Sequence, residues 1–404
     1  MTEPLEALRS LLRHIVPANR FVASRLGHLG ELRDLRDFAS RVPFTHKPEL
    51  VADQAAHPPY GSNLTFPESQ YTRFCQTSGT TGRPLSILDT NESWQWMLEN
   101  WRRIYEAAGV LPGTRIYFAF SFGPFLGFWT AFEAATLHGC LCIPGGGLSS
   151  AARLRAIIEH RAKVICCTPT YALRLAEVAR EEAIDLSESE VRTIIVAGEA
   201  GGSVPAVRDR IRQSWNGARV VDHYGMTEVG PVAYEDPKRE RVLRVLEPSY
   251  FAEVVEPGSG QPVPEGGVGE LVLTPLGRTS WPLLRYRTGD LVKWSRDVEG
   301  MALEGGIIGR ADDMVVVRGV NVYPMGVESV VRSIPEIGEF RVLVSRRGSM
   351  TELEVHIESP DDTAALRLES ALDQAFTLRV PVTRVQAGSL PRFEMKSRRW
   401  ITNP

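Results

Sequence analysis

The stretch Gln76-Thr77-Ser78-Gly79-Thr80-Thr81-Gly82-Arg83-Pro84 sets four hydroxyls and two glycines beside a cation. Glycine lets a backbone turn sharply and bring its N–H groups onto an anion, while Ser78, Thr80 and Thr81 can donate further hydrogen bonds to phosphate oxygens. With Thr77, Gly79 and Gly82 completing it, the stretch reads as a loop that grips a triphosphate. An ordinary Ser/Thr/Gly hairpin turn has the same composition, so the loop alone does not decide. Its spacing is not the G-x-x-x-x-G-K-[ST] of the P-loop nucleotidases, and their mechanism is not implied. The other candidate groups are Glu199 in Ala197-Gly198-Glu199, Asp222 and Glu228 in Asp222-His223-Tyr224-Gly225-Met226-Thr227-Glu228, and Asp290 in Tyr286-Arg287-Thr288-Gly289-Asp290. A carboxylate is the natural acceptor for a diol, which is the case for Asp290. Outside any wider pattern each acid would equally cap a helix, pair on the surface or sit in a turn. Lys396, in the basic tail Lys396-Ser397-Arg398-Arg399, would by composition be a solvated charge.

The elements that must position these groups are bounded first by composition. A chain of 404 residues, 43% hydrophobic and 24% charged, is globular and large enough for two or three domains. A net charge of −3 gives no basic field of the kind that binds nucleic acid or acidic membranes, so neither is expected as a partner. Arg9, Arg13 and Arg20 interrupt the N-terminal apolar runs, and no stretch reaches the roughly 18 apolar residues of a membrane span. The expectation is a cytoplasmic protein. Cys75, Cys140, Cys142, Cys166 and Cys167 lie mostly in apolar segments with no C-x-x-C pair, which favours buried reduced thiols over a metal site.

Along the chain, Leu5, Leu8, Leu11 and Leu12, then Leu26, Leu29 and Leu32, recur at helical spacing, predicting amphipathic helices over 1–40 that cover the main domain. Val42 to Leu50 breaks into loop, with Thr45 as a helix cap. Leu85 to Leu88 reads as a strand, Trp94 to Ala108 as a helix, and the aromatic run from Tyr117 to Phe125 as a buried strand running into a loop. Strands at Val164–Thr168, Thr193–Ala197 and from Val220 alternate with helices at Tyr171–Glu182 and Val204–Trp215. That alternation implies βαβ crossovers and a parallel sheet whose ligands gather at the carboxyl ends of strands, where the 197–199 and 222–228 loops fall. After Glu247, short alternating runs bounded by Gly, Pro and Asp imply a β-rich subdomain. A boundary at Gly309 to Asp313 then precedes a compact α+β unit. The predicted fold is α/β: a large domain over 1–311 with parallel βαβ sheets and a β-rich subdomain, and a small α+β domain over 312–404.

The phosphate loop, Tyr224 to Glu228, Tyr286 to Asp290, Gly309 to Asp313, and Leu390-Pro391-Arg392 with Lys396 occur in an order that resembles the adenylate-forming superfamily. That superfamily holds acyl- and aryl-CoA synthetases, luciferases and peptide-synthetase adenylation domains. The segment from Leu35-Arg36-Asp37 to Pro43-Phe44-Thr45, and Ser121-Phe122-Gly123-Pro124-Phe125, look most like the phenylacetate–CoA ligase branch. The resemblance implies ATP-dependent activation of an aromatic or small carboxylic acid to an acyl-adenylate, then transfer to coenzyme A with release of AMP. By that resemblance Thr77 to Gly82 hold the β- and γ-phosphates, Thr227 the α-phosphate, and Glu228 a Mg²⁺ ion. Glu199 and Tyr224 flank adenine, Asp222 accepts from its amino group, and Asp290 accepts the ribose hydroxyls with Arg310 nearby. Phe122, Phe125, Ala197, Gly198 and Gly225 line the acid pocket. Lys396 bridges carboxylate and α-phosphate, a role suited to a compact charge on a flexible stem. The C-terminal domain then turns about Asp312, bringing Arg318 and Gly319 to the coenzyme A path, where a glycine lets a slender arm pass.

The sequence departs from the family pattern at four places. Arg83 stands where lysine is usual, and Ala200 replaces a proline. Ala233-Tyr234-Glu235 lacks the cysteines some relatives carry, so no structural zinc is expected. The N-terminal region is short, which leaves a differently closed acid pocket open. A carrier-protein thiol or an amine as acceptor, a non-catalytic nucleotide-binding relative and a homodimer also remain open readings.

Overall fold

The computed structural model describes the chain apart from residues 1, 28, 78–82, 319, 348–349, 395–396 and 403–404. Two compact units share it, one of residues 1–146 and 222–306, the other of 147–221 and 307–404.

The first unit opens with the predicted leucine stripe, folded differently at its end. Helix α1 (Thr2–Ala18) buries Leu8, Leu11, Leu12 and Ile15. Asn19 caps α2 (Arg20–Leu26), accepting from the Val22 N–H at 3.0 Å. Leu29 and Leu32 are not helical, because Gly27 ends α2 at φ 52° and Asp34 starts a fresh helix, α3 (Leu35–Arg41). Leu32 still joins Phe38, Val42, Leu276 and Leu284 in one core cluster, so these helices do cover the rest of their unit. Thr45 is not the cap of α4 (Lys47–Ala56). His46 holds that position and its N–H donates to Glu49 at 2.7 Å, while Thr45 bridges to Tyr286 and donates its hydroxyl to Leu284 O.

Strands β1 (Tyr71–Gln76) and β2 (Ser86–Thr90) pair antiparallel on either side of the phosphate loop. Thr90 caps α5 (Asn91–Ala107), whose inner face carries Trp94, Met97, Trp101 and Ile104. Helix α6 (Leu126–Leu137) crosses from β3 (Arg115–Phe118) to its parallel neighbour β4 (Leu141–Pro144). No clean stripe marks α6, since Leu126-Gly127-Phe128-Trp129 is apolar on every side, and periodicity predicts no element there.

In the second unit α7 (Ser150–Glu159) precedes β5 (Val164–Cys167), α8 (Pro169–Glu181), β6 (Thr193–Val196) and α9 (Pro205–Ser214). The strands β5 and β6 pair in parallel from Val164 opposite Thr193 to Cys167 opposite Val196, as the alternation predicts. Cys75, Cys166 and Cys167 are free and buried, and Cys140 and Cys142 are free and half-buried.

The unit division falls inside β7 (Arg219–Met226), which returns to the first unit at Asp222. There follow β8 (Gly230–Glu235), β9 (Val242–Val245), β10 (Tyr250–Val255), β11 (Val268–Pro275), β12 (Tyr286–Asp297) and β13 (Gly300–Arg310), in the sheet order β10-β11-β12-β13-β9-β8-β7. From β10 onward this is the predicted β-rich region, while β8 and β9 lie before its predicted start at Glu247. The 222–228 motif is strand through Met226, so only its last two residues stand in a turn.

The second unit resumes at Ile307, inside β13, and continues with the hairpin β14 (Val315–Val317) and β15 (Val320–Val322), then α10 (Pro324–Arg332), β16 (Phe340–Arg347), β17 (Met350–Glu358), α11 (Ala364–Phe376), β18 (Val382–Val385) and β19 (Trp400–Thr402). The four-stranded sheet β18-β17-β16-β19 packs Val342, Val355 and Ile357 against Val327, Val331, Leu368 and Leu372 of the two helices. Among the described residues no helix is long and apolar enough to cross a membrane.

Candidate active site

Thr227 and Glu228 stand at the tip of the β7–β8 hairpin, where Met226 pairs with Gly230. The pairing slips between Tyr224 and Gly225, a bulge that re-aims the end of β7. A Cβ on Gly225 would lie 2.8 Å from Gly230 O, so only glycine fits there. Glu228 is buried, with Lys47 Nζ at 3.1 Å and the Tyr286 hydroxyl donating at 3.4 Å. Lys47 lies in the first turn of α4, where the helix dipole disfavours a cation unless an acid offsets it. That misplaced charge is the signal that points to Lys47 from sequence, since motif order alone does not include it. Mg²⁺ takes oxygen ligands and is commonly held by one or two carboxylates together with substrate phosphates. Glu228, a shielded carboxylate that already draws a cation, fits that donor set.

Asp290 is buried in β12 and accepts from the Tyr224 hydroxyl at 2.7 Å, joining two motifs 66 residues apart. Its N–H donates to Thr288 Oγ1 at 3.0 Å, and Gly289 donates to Glu270 Oε1 at 3.0 Å. Asp222 is buried as well, its N–H donating to Glu235 Oε2 at 2.7 Å. Between Asp222 and Tyr224, His223 turns inward against Trp101, ring centroids 4.3 Å apart, with Nδ1 2.8 Å from Ala233 O. Burial holds its pKa down to about 4, which keeps the imidazole neutral near pH 7.

Thr77 closes the base of the phosphate loop: its N–H donates to Leu85 O at 3.1 Å and its Oγ1 accepts from the Leu85 N–H at 3.0 Å. Ser78, Gly79, Thr80, Thr81 and Gly82 lie outside the described residues. Gln76 N–H donates to Pro124 O at 2.7 Å and so ties the loop to the aromatic segment. In that segment Phe122 and Phe125 are half-buried. The Phe122 ring packs on Trp129 at 4.7 Å and Phe132 at 5.4 Å, and Phe125 meets Phe128 edge-on at 5.8 Å. Trp129 Nε1–H donates to Gly123 O at 2.8 Å, pinning the turn between them. All of these groups belong to the first unit.

The remaining predicted residues belong to the second. Ala197, Gly198 and Glu199 follow β6, and Gly198 takes φ 92°, a conformation suited to glycine. Glu199 Oε1 accepts from the Thr170 N–H at 2.9 Å in the first turn of α8, and Oε2 accepts from the Ser397 N–H at 2.8 Å. Arg310 forks onto Asp312 at 2.9 and 3.0 Å. Arg318, at φ 49° in the β14–β15 turn, is 3.7 Å from Glu352. Gly319 and Lys396 lie outside the described residues.

Residues 44–275 match the family described as AMP-binding enzyme, and residues 319–403 match the AMP-binding enzyme C-terminal domain. The phenylacetate-coenzyme A ligase of Thermus thermophilus is 32% identical over 364 residues, covering 87% of this chain and 80% of the relative. A 2-hydroxyisobutyryl-CoA ligase, solved in the postadenylation state with R3-HIB-AMP, matches with a TM-score of 0.93 and 28% identity, covering 99% of this chain and 89% of that one. The same ligase in the thioesterification state, with 2-HIB-AMP and CoA, matches with a TM-score of 0.74 and 29% identity, covering 100% and 89%. The motif order, the strand-borne carboxylates and these likenesses agree: the chain belongs to the AMP-binding enzyme family, as an AMP-forming acid–thiol ligase of the adenylate-forming superfamily.

Proposed function

We propose that the chain joins an aromatic carboxylic acid to coenzyme A through an acyl-adenylate. The observation that carries the reading is the Tyr224–Asp290 hydrogen bond beside the Thr227-Glu228 turn, which gathers nucleoside and phosphate groups into one unit. Relatives named as phenylacetate-coenzyme A ligases, and a relative solved with an acyl-AMP and CoA, support the acid class and the acceptor.

In the first half-reaction a carboxylate oxygen attacks the α-phosphorus of ATP and pyrophosphate leaves. The barrier is negative charge meeting negative charge, so donors and cations aimed at the phosphates do most of the work. Tyr224 orients the Asp290 carboxylate toward the ribose hydroxyls, while Asp222 accepts from the adenine amino group and Glu199 and Arg310 complete the nucleoside contacts. Thr227 donates to the α-phosphate and Ser78, Thr80 and Thr81 to the β- and γ-phosphates. Bound Mg²⁺ supplies charge neutralisation at those phosphates, with Glu228 as its protein ligand. Phe122 and Phe125, on a turn fixed by Trp129, form the apolar wall for the aromatic ring, with Gly225 in the same unit as a backbone contact; Ala197 and Gly198 are acid contacts by the family resemblance. Lys396 bridges the substrate carboxylate and the α-phosphate.

In the second half-reaction the 312–404 domain turns about Asp312, and the thiol enters past Arg318 and Gly319. The thiolate sulfur attacks the acyl carbon and AMP leaves with the bond electrons. The test is pyrophosphate release across aromatic and aliphatic acids, each with and without coenzyme A. An aromatic acid should release pyrophosphate, and coenzyme A should raise turnover with a thioester product. Release that coenzyme A leaves unchanged would refute the acceptor, and a preference for aliphatic acids would refute the acid class.

A further inference from the structure

Arg278 and Asp89 form an ion pair in which neither side chain has any exposed surface. Arg278 Nε donates to Asp89 Oδ1 at 2.8 Å and its second terminal nitrogen donates to Oδ2 at 2.5 Å. The first terminal nitrogen donates to two successive carbonyls, Thr227 O at 2.8 Å and Glu228 O at 2.9 Å. Ser280 Oγ donates to Asp89 Oδ1 at 3.1 Å. Burying two charges costs desolvation that can match or exceed their attraction, and an apolar pair of similar volume is often as stable. Stability of the fold therefore gives no sufficient reason for this pair. An apolar pair could not hold two carbonyls.

Those carbonyls belong to the peptide planes on either side of the Glu228 Cα. Each plane is rigid, so fixing both oxygens fixes the two backbone torsions of Glu228 and with them the direction in which its side chain leaves. Asp89 lies in β2, the strand that leaves the phosphate loop and whose lead-in residue Leu85 is paired with Thr77. We infer that Arg278, oriented by Asp89, is a positioning residue for adenylation: it locks the Thr227-Glu228 turn in register with the strand that carries the phosphate loop. The inference rests on the proposed roles of Thr227 and Glu228.

Arg278→Lys keeps a charge beside Asp89, but an ammonium cannot fork onto a carboxylate and serve two carbonyls at once. In this variant the Mg²⁺ concentration for half-maximal pyrophosphate release should rise about tenfold, the low end of what outer-shell changes cost a metal site. The KM for the acid should stay within about twofold, since the change removes no acid contact. Mn²⁺ binding in the presence of a non-hydrolysable ATP analogue, read by paramagnetic resonance, should weaken in parallel. The apolar double variant Asp89→Leu/Arg278→Met should fold and show the same shift. Arg244→Lys, at the buried pair with Asp236 in the same unit, should lower Tm without moving the metal requirement. An unchanged metal requirement in Arg278→Lys, or an equal shift in Arg244→Lys, would overturn the inference while leaving the ligase reading intact. Glu228→Gln with a wild-type metal requirement would overturn the reading of Glu228, and the inference with it.

Discussion

Most of the proposed site residues in the two units are held in opposite ways, the exception being Glu199 of the second unit, half-buried and accepting from the Thr170 and Ser397 N–H groups. In the first, Asp222, Tyr224, Glu228 and Asp290 are buried, sit on or beside strands, and are each fixed by hydrogen bonds from neighbouring segments. In the second, Arg310 and Asp312 pair with side chains 41% and 59% exposed, and Arg318 lies in a hairpin turn. An exposed pair of this kind is worth about 0–1 kcal/mol and is easily exchanged for water, whereas a buried one costs several kcal/mol to break. Groups that bind the nucleotide in both half-reactions can be rigid. Groups proposed to act at a turning point must part cheaply.

The largest expected effect belongs to Lys396. Lys396→Ala should lower the rate of adenylate formation by about 10²–10³-fold, the loss typical of a single charge-stabilising group. Thioester formation from a supplied acyl-adenylate should persist, and equal loss in both assays would break the division of labour. Asp290→Ala comes next, with kcat/KM for ATP falling by about 10- to 100-fold in both half-reactions, as expected for a charge-assisted contact. Tyr224→Phe should fall short of that, because it removes only the group that orients the carboxylate. In the second unit Asp312→Pro, which stiffens the proposed pivot, should slow thioester formation about tenfold with pyrophosphate release nearly intact, in line with hinge-dependent turnover. Loss of pyrophosphate release in that variant would contradict the contrast.

The smallest effect concerns the rigid side alone. His223 has its pKa held down to about 4 from an ordinary 6.5. Between those values the unfolded chain binds a proton that the folded chain refuses, so stability falls as pH drops through that window, by at most about 1.4 kcal/mol per pH unit. Denaturant unfolding at pH 7, 6 and 5 should show a shallower decline in His223→Gln than in the parent.

Much of the architecture was legible because periodicity and chemistry agreed. The alternation of short apolar strands with helices announced the parallel pair β5 and β6, and the short alternating runs after Glu247 announced a β-rich region. What escaped had no local signature. Helix α6 is apolar all round, so it shows no stripe. Glu49 gives the cap position to His46, one residue beyond Thr45, whose hydroxyl donates to Leu284 O, 239 positions away. Asp89 and Arg278 are 189 residues apart, and neither spacing nor composition links them. The proposed binding carboxylates follow from motif order, while the groups set against the Thr227-Glu228 turn, Lys47 at the Glu228 side chain and Arg278 at the two carbonyls, became visible only through long-range contacts.

The most direct test of the account mixes the protein with ATP, Mg²⁺ and an aromatic acid without coenzyme A, quenches, and counts enzyme-bound acyl-AMP per chain before and after adding coenzyme A. The account predicts about one equivalent of acyl-AMP in the first quench, the limit set by one active site, discharged on addition of coenzyme A into equal amounts of AMP and thioester. ADP in place of AMP, or no bound adenylate with any acid that is turned over, would contradict it.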